Sequence, residues 1–277
     1  MVTKPAKDVV SDPVSADLKK VLRQLKLGRM LDTLPERLIL ARQRHLSHAA
    51  FLELVLADEA TRRDTSSAAR RARDAGLDAA MHLENWDESA AVRYDRTLWA
   101  DLTSLRFLDG PHGALLLGAV GVGKTHLATA LGHIAVRRRI PTLMVRADSM
   151  FKRLKASRLD NSTEAEMRRL AQVRLLIIDD FALQPMDATA TADFYELVVA
   201  RHHNTSTVLT SNRTPDKAHL LARTYAKVPP KHDRFGAFRA QQAGQAAGRR
   251  RGDRRDRSSR LRVSSRMLPL RVSGRWY

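Results

Sequence analysis

Residues 115–132 read LLLGAVGVGKTHLATALG, and this stretch decides the fold. Its leucines end at Leu117, a glycine-rich loop follows, and a segment with helical apolar spacing begins at Lys124 and Thr125. The loop matches G-x-x-x-x-G-K-[ST], in which glycines let consecutive amides wrap a phosphate chain. The first amides and the dipole of the following helix also face the anion. The sequence therefore predicts a strand, a phosphate-binding loop and a helix, in that order.

We expect this loop to bind a nucleoside triphosphate together with Mg²⁺. Lys124 is expected to reach the β- and γ-phosphates as a point charge, and the Thr125 hydroxyl is expected to ligate the Mg²⁺. An ordinary glycine turn between strand and helix would give no reason for this lysine and threonine. The predicted nucleotide-binding residues are the loop and the start of the helix: Gly118, Ala119, Val120, Gly121, Val122, Gly123, Lys124, Thr125 and His126.

Short apolar blocks alternate with helical segments after Gly113. The predicted strands are 114–117, 142–145, 174–179 and 206–211, and the predicted helices are about 125–138, 148–158, 163–172 and 188–203. Continuous apolar blocks are typical of strands buried on both faces, and their alternation with helices indicates a parallel sheet with right-handed crossovers. The predicted fold class is therefore α/β, with a parallel sheet flanked by helices.

Polar side chains follow two of the predicted strands. Asp179 closes the block RLLIID at the edge where open α/β sheets bind ligands, and we expect it to hold the Mg²⁺ through water. Asp180 comes next and could orient the attacking water, or it could be a helix N-cap or a loop residue. Asn212 follows STVLTS and could bond the γ-phosphate or the water, or form a turn. The predicted catalytic residues in the core are Lys124, Asp180 and Asn212.

The N-terminal third of the chain has helical spacing. Residues 1–15 are expected to be a disordered leader, 16–95 a helical domain, 96–212 the ATPase core and 213–277 a basic tail. The first helix carries apolar side chains at positions i, i+3, i+4 and i+7, which are Leu18, Val21, Leu22 and Leu25. Five arginines lie between Arg62 and Arg73, and this run is either a solvated face or a contact with DNA or a partner.

The composition excludes several classes of protein. The 277 residues include no cysteine, which rules out disulfide frameworks, thiolate zinc sites and cysteine nucleophiles. No apolar run approaches the roughly 18 residues of a membrane span, and the N-terminus lacks an apolar signal core, so we expect a cytoplasmic protein. Of the net charge of +19, residues 213–277 contribute +14, with 18 basic and 4 acidic residues. This tail is either a solvated, unfolded segment or a ligand for phosphate backbones.

Four segments carry a family resemblance: GAVGVGKTHLATALG, VRADSMFKRL, LLIIDDFALQPMD and FYELVVARHHNTSTVLTSN. Together they resemble the IstB-like ATP-binding proteins, AAA+ helper ATPases encoded beside the transposase of a bacterial insertion sequence and related to the DnaC helicase loader. The resemblance covers about residues 16–212 and implies an AAA+ fold with ATP-dependent assembly on DNA. On the family pattern Asp179 is the Walker B magnesium residue, Asp180 stands where many AAA+ proteins have glutamate, and Asn212 is the sensor.

The segment after Asn212 departs from that family. Its members continue with a helix that bears an arginine finger and then with a final strand. Here HDRF at 232–235 is the candidate, so Arg234 is the predicted finger that acts on a neighbouring subunit. No apolar run at 240–260 predicts the final strand, and if the tail is a frameshifted or degenerate end, strand 114–117 would lie at an open sheet edge. The arginine-, alanine- and glycine-rich composition leads to the hypothesis that the tail is a frameshifted or degenerate end.

Three functions compete for this sequence. The first is a transposition helper that binds double-stranded DNA non-specifically, forms a homo-oligomer and stimulates the transposase of its element. The second is a helicase loader of the DnaC type, because loaders share the same ATPase core. The third is a small-molecule P-loop kinase, which would need a substrate lid with clustered arginines and no sensor asparagine. The IIDDF segment and the N-terminal helices favour the transposition helper.

Overall fold

The structure is a computed structural model that describes residues 14–87, 92–110, 112–183, 185–201, 205–212 and 235–242. The chain divides into two units, residues 1–67 and 68–277, and each is considered by itself. Within the described ranges, no helix is both long and apolar enough to cross a membrane. The predicted finger Arg234 and most of the predicted tail lie outside the described residues.

The first unit is helical, in agreement with its apolar spacing. It contains α1 (Ala16–Gln24), a 3-10 helix (Gly28–Asp32), α2 (Leu34–Gln43) and the beginning of α3 (His48–Asp74). The apolar core of this unit consists of Val14, Leu22, Met30, Leu34 and Val55. Of the four spaced apolar residues of α1 only Leu22 is buried, whereas Leu18, Val21 and Leu25 are between 43% and 61% exposed. The spacing therefore identified the helix but overestimated its buried face.

The arginine run of α3 begins with an ion-paired cluster. Arg62 and Arg63 both donate hydrogen bonds to the carboxylate of Glu59, over 2.7–2.8 Å. The bond from Arg62 is the largest reason why the pKa of Glu59 falls to about 2, and burial of the carboxyl opposes this shift. Two of the five arginines are thus partly neutralised by a neighbouring carboxylate on their own helix.

The second unit is built on a six-stranded sheet with the order β1-β6-β2-β5-β4-β3. The strands are β1 (Val92–Arg93), β2 (Gly113–Gly118), β3 (Thr142–Arg146), β4 (Leu175–Asp179), β5 (Ser206–Ser211) and β6 (Phe235–Gln242). All neighbours are parallel except β1 and β6, which are antiparallel. The α-helices that follow α3 are α4 (Arg96–Ser104), α5 (Lys124–Arg137), α6 (Ala147–Ser157), α7 (Thr163–Gln172) and α8 (Ala188–Arg201). This arrangement confirms the predicted α/β P-loop fold of AAA+ type.

The two faces of the sheet belong to two separate cores. Leu175 and Ile177 of β4 pack in the same core as the apolar side chains of α5. Leu176 and Ile178 pack on the other face, in the core that contains apolar side chains of α6, α7 and α8. All four side chains are fully buried because successive residues of a strand point to opposite faces and helices cover both. Because both faces of the sheet are covered, the sequence of β4 is apolar without interruption.

The position of β6 corrects one expectation. No final strand was expected beside strand 114–117, which would have lain at an open edge with a degenerate tail, but β6 pairs with all of β2, from Gly113↔Phe235 to Gly118↔Ala240. The expectation failed because it searched for an apolar run at 240–260. The ladder uses main-chain groups, which every residue except proline can supply in full. The hypothesis of a frameshifted tail stays a prediction.

Candidate nucleotide-binding site

The loop between β2 and α5 has the backbone of a phosphate cradle. Gly121 and Gly123 both have φ of 82°, a conformation that residues with a side chain rarely adopt. Gly123 is also the N-cap residue of α5 and supplies no side-chain acceptor to the first amides of that helix. Such amides, together with the helix dipole, suit an anion. The motif therefore lies between strand and helix, as its sequence predicts.

Lys124 is buried at the start of α5. Its ammonium Nζ donates a hydrogen bond over 2.7 Å to the carbonyl oxygen of Ala119 and so bridges the loop. Burial lowers the pKa of Lys124, while the negative charges of Asp180 and Asp179 oppose this shift. A buried ammonium with a carbonyl as its hydrogen-bond partner gains strongly from an anion, because its charge is only partly compensated.

Thr125 and Asp179 meet below the loop. The Thr125 hydroxyl lies 3.1 Å from Oδ1 and 3.0 Å from Oδ2 of the Asp179 carboxylate, which is only 4% exposed. A hydroxyl and a carboxylate are hard oxygen donors, and Mg²⁺ is usually held by one or two such groups together with phosphates and water. In the described part of the chain, no group of three or more His, Cys, Asp or Glu side chains could hold a metal alone. This donor set fits Mg²⁺ that arrives with a nucleotide.

Asp180 lies directly after β4 but has a different environment from Asp179. Its backbone is left-handed, with φ of 54°, and its Oδ2 accepts a hydrogen bond of 3.0 Å from Nη2 of Arg146. Its amide donates to the Thr210 hydroxyl over 3.0 Å. The carboxylate is 28% exposed, so water can reach it. Asp180 is thus neither a helix N-cap nor a free carboxylate, but the partner of an arginine at the end of β3.

Asn212 and His126, two of the predicted site residues, have different surroundings. Asn212 is partly exposed and follows β5, the strand that lies between β2 and β4, so it is at the same sheet edge as Asp179. The imidazole Nε2 of His126 lies 2.8 Å from the carbonyl oxygen of His82, and it must carry its proton to donate there. The His126 side chain therefore contacts the segment before β1.

Trp86 packs against the phosphate loop. A Cβ atom added to Gly123 would lie 2.4 Å from two ring atoms of Trp86. The Trp86 ring also meets the His126 ring edge-on, with 5.3 Å between the ring centres. The aromatic side chain thus covers the turn that begins α5, and glycine is required at position 123 for space as well as for backbone conformation.

We expect Gly123→Ala to destabilise the fold more than Gly121→Ala. Both changes force alanine into a left-handed conformation, which lowers the free energy of unfolding by about 1 kcal/mol. Only the change at position 123 adds the clash with Trp86, which lowers it by about 1–3 kcal/mol more. Nothing lies within 4 Å of a Cβ at position 121, which makes Gly121→Ala a matched control. Thermal unfolding should show a loss of about 2–4 °C for the control and about 4–16 °C for Gly123→Ala. Equal losses would contradict the packing role of Trp86.

The geometry defines this chain as a P-loop nucleotide-binding protein. It belongs to the family of IstB-like ATP-binding proteins, whose family model matches residues 20–221. An insertion-sequence ATP-binding protein of Mycobacterium tuberculosis is 36% identical over 208 residues, which are 75% of this chain and 82% of that protein. The ATP-binding protein of insertion sequence IS1162 from Pseudomonas fluorescens is 35% identical over 191 residues, 69% and 83% of the two chains. AMPPCP-bound DnaA from Aquifex aeolicus aligns with a TM-score of 0.47 and 20% identity, over 54% of this chain and 49% of that one.

Three residues of this site were not anticipated. Arg146 and Thr210 contact the two aspartates, and Trp86 packs against Gly123 of the loop. Their contacts depend on which strands and segments become neighbours, so the local sequence carried no signal for them. Arg146 ends β3, however, and a charged residue at a carboxyl end of a parallel strand could have been added to the candidates on the same grounds as Asp179.

Proposed function

We propose that this chain binds ATP with Mg²⁺, hydrolyses it and uses the cycle to assist the transposase of an insertion sequence on DNA in the cytoplasm. The observation that carries this proposal is the contact between Thr125 and Asp179 beneath a loop that the buried Lys124 bridges. This combination brings a phosphate cradle and a magnesium carboxylate together in one place.

The binding step would use groups that already face the loop. The Lys124 ammonium bonds the Ala119 carbonyl, and phosphate oxygens would replace that carbonyl as stronger, charged acceptors. The first amides of α5 and the glycine backbone would hold the remaining phosphate oxygens. Thr125 and Asp179 would hold Mg²⁺, which neutralises charge on the β- and γ-phosphates when it is bound.

Hydrolysis would depend on side chains at the same edge of the sheet. We assign Asp180 to orient and polarise the attacking water, and Asn212 to bond the water or the γ-phosphate without adding charge. Arg146 would hold the Asp180 carboxylate by one oxygen and leave the other for water. Arg234 of an adjacent copy is proposed as the finger that stabilises the transferred phosphoryl group.

The hydrolytic activity is tested by phosphate release from ATP, measured with and without duplex DNA. Activity that requires Mg²⁺ and increases with DNA would support the whole proposal. A well-folded protein that binds Mg²⁺ and ATP but releases no phosphate under either condition would limit the function to nucleotide binding. Absence of nucleotide binding would refute the proposal.

We expect binding to DNA to be non-specific and strongly dependent on salt. The chain has a net charge of +19, and each phosphate contact by Lys or Arg releases counterions that weaken binding as salt rises. Even about three contacts would reduce affinity more than tenfold between roughly 50 and 200 mM salt. Fluorescence anisotropy with two duplexes of unrelated sequence should give equal affinities and equal slopes. A salt-independent affinity would contradict this prediction.

The names of the relatives support a transposition helper over a helicase loader. Both relatives described above are insertion-sequence proteins, and they match this chain across more than four fifths of their length. The gene next to this one provides the direct test. A neighbouring transposase gene supports the helper, whereas a neighbouring replicative helicase gene would favour the loader.

A further inference from the structure

We infer that Thr210 is a positioning residue that orients the Asp179 carboxylate for Mg²⁺, an inference that rests on the proposed function. Thr210 lies on β5 and is completely buried. Its hydroxyl donates to Oδ1 of Asp179 and accepts from the amide of Asp180, which is 3.0 Å away. One oxygen atom is therefore bonded to both residues that close β4.

The directions of these bonds follow from the donors available. A threonine hydroxyl has one proton and two lone pairs. The Asp180 amide can only donate, so the Thr210 oxygen must accept there and its single proton is left for Asp179. This proton fixes Oδ1 of Asp179 as the acceptor of that bond and so restrains the rotation of the carboxylate.

The Asp179 carboxylate is thus held by hydroxyls from two different elements. Thr125 belongs to the phosphate-loop helix α5, whereas Thr210 belongs to the neighbouring strand β5. The regular pairing of β4 with β5 ends at Ile178↔Leu209, and the main chain of Thr210 continues it by accepting from the amide of Phe181 over 2.8 Å. Thr210 is therefore anchored by the sheet itself and does not depend on the state of the loop.

Polar groups that orient a metal-binding side chain change metal affinity although they do not touch the metal. Loss of such a partner typically lowers metal affinity or activity by about 10- to 100-fold. In Thr210→Val the hydroxyl is replaced by a methyl group of similar size. The Asp179 carboxylate would then lose the proton that sets its rotation, and the Asp180 amide would lose its acceptor.

The experiment measures how Mg²⁺ tightens the binding of a fluorescent, non-hydrolysable ATP analogue. For Thr210→Val we expect a rise of about tenfold or more in the Mg²⁺ concentration that gives half of the maximal tightening of analogue binding. The affinity for the analogue without Mg²⁺ should stay unchanged within about twofold. Thr210→Ser keeps the hydroxyl and should restore the wild-type half-effect concentration. If Thr210→Val does not fold, Thr210→Ala against Thr210→Ser gives the same comparison.

Thr207→Val is the matched control for stability. Thr207 lies on the same strand and its hydroxyl is also buried, but it accepts from Arg201 rather than contacting Asp179. We expect this control to lower the melting temperature without changing the Mg²⁺ dependence. If Thr210→Val or Thr210→Ala keeps the wild-type Mg²⁺ dependence, or if Thr210→Ser loses it equally, Thr210 has no positioning role. If the wild-type protein shows no Mg²⁺-dependent binding at all, the proposed function itself fails, and the two failures are thereby distinguished.

Discussion

Lys124→Ala is expected to reduce the affinity for Mg²⁺ and ATP by about 10- to 150-fold, since a hydrogen bond to a charged group contributes about 1.5–3 kcal/mol. At moderate nucleotide concentration this loss would abolish ATP-dependent assembly on DNA. The ammonium is the charged group that bridges the loop, and its bond to the Ala119 carbonyl shows that it already points across the cradle. Alanine leaves the amides in place but removes this positive charge.

The fold should survive this change. Burial lowers the pKa of Lys124, which means that the buried ammonium is desolvated at a cost, and alanine removes that cost. We expect a melting temperature equal to or above that of the wild type. Lys155→Ala, on the exposed side of α6, serves as the control for loss of one positive charge and should bind nucleotide normally. Calorimetry that finds wild-type affinity in Lys124→Ala would overturn the assignment of the loop.

Asp180→Asn is expected to bind Mg²⁺ and ATP normally but to hydrolyse ATP about 10²- to 10⁴-fold more slowly. This is the usual range for removal of a group that accepts or directs a proton in the reaction. The asparagine amide keeps the size of the side chain and can still accept a hydrogen bond from Arg146, so the geometry at the end of β4 is preserved. Only the negative charge that we propose to polarise the water is lost.

The control for Asp180→Asn is Asp148→Asn. The Asp148 carboxylate lies 3.9 Å from Nε of the same Arg146 guanidinium, and it is 58% exposed. Both changes remove one carboxylate beside Arg146, and pairs this exposed contribute only about 0–1 kcal/mol to stability. We expect hydrolysis to fall in Asp180→Asn alone, as measured by single-turnover phosphate release. Equal rates in the two variants would remove Asp180 from the mechanism.

The local sequence predicted the strands and the helix that carry the candidate site because its signals lie within single elements. The strand before Gly118, the helix from Lys124 and the buried strand that ends in Asp179 each follow from apolar spacing and glycine placement. The family model and the relatives confirm the family that the motifs indicated. The bounds of these four strands differed from the prediction by no more than one residue at any end, as expected where pairing rather than composition decides the last residue.

The remaining features depend on neighbours that are distant along the chain. Thr210 contacts Asp179 only because β5 lies beside β4, and Arg146 reaches Asp180 only because β3 lies on the other side. Trp86 meets Gly123 through the packing of a segment that has no periodic pattern of its own. Strand β6 was missed because the search relied on apolar composition, whereas the ladder is formed by main-chain groups.

The position of β6 also determines when the sheet can be completed during translation. β2 emerges from the ribosome early, but its partner on one side, Phe235–Gln242, is synthesised more than one hundred residues later. Until then the nascent chain carries a half-paired strand directly before the phosphate loop, and an unpaired strand can associate with other chains. The centre of the sheet can therefore be completed only after synthesis has passed Gln242, and a ribosome that stops earlier releases a chain prone to aggregation.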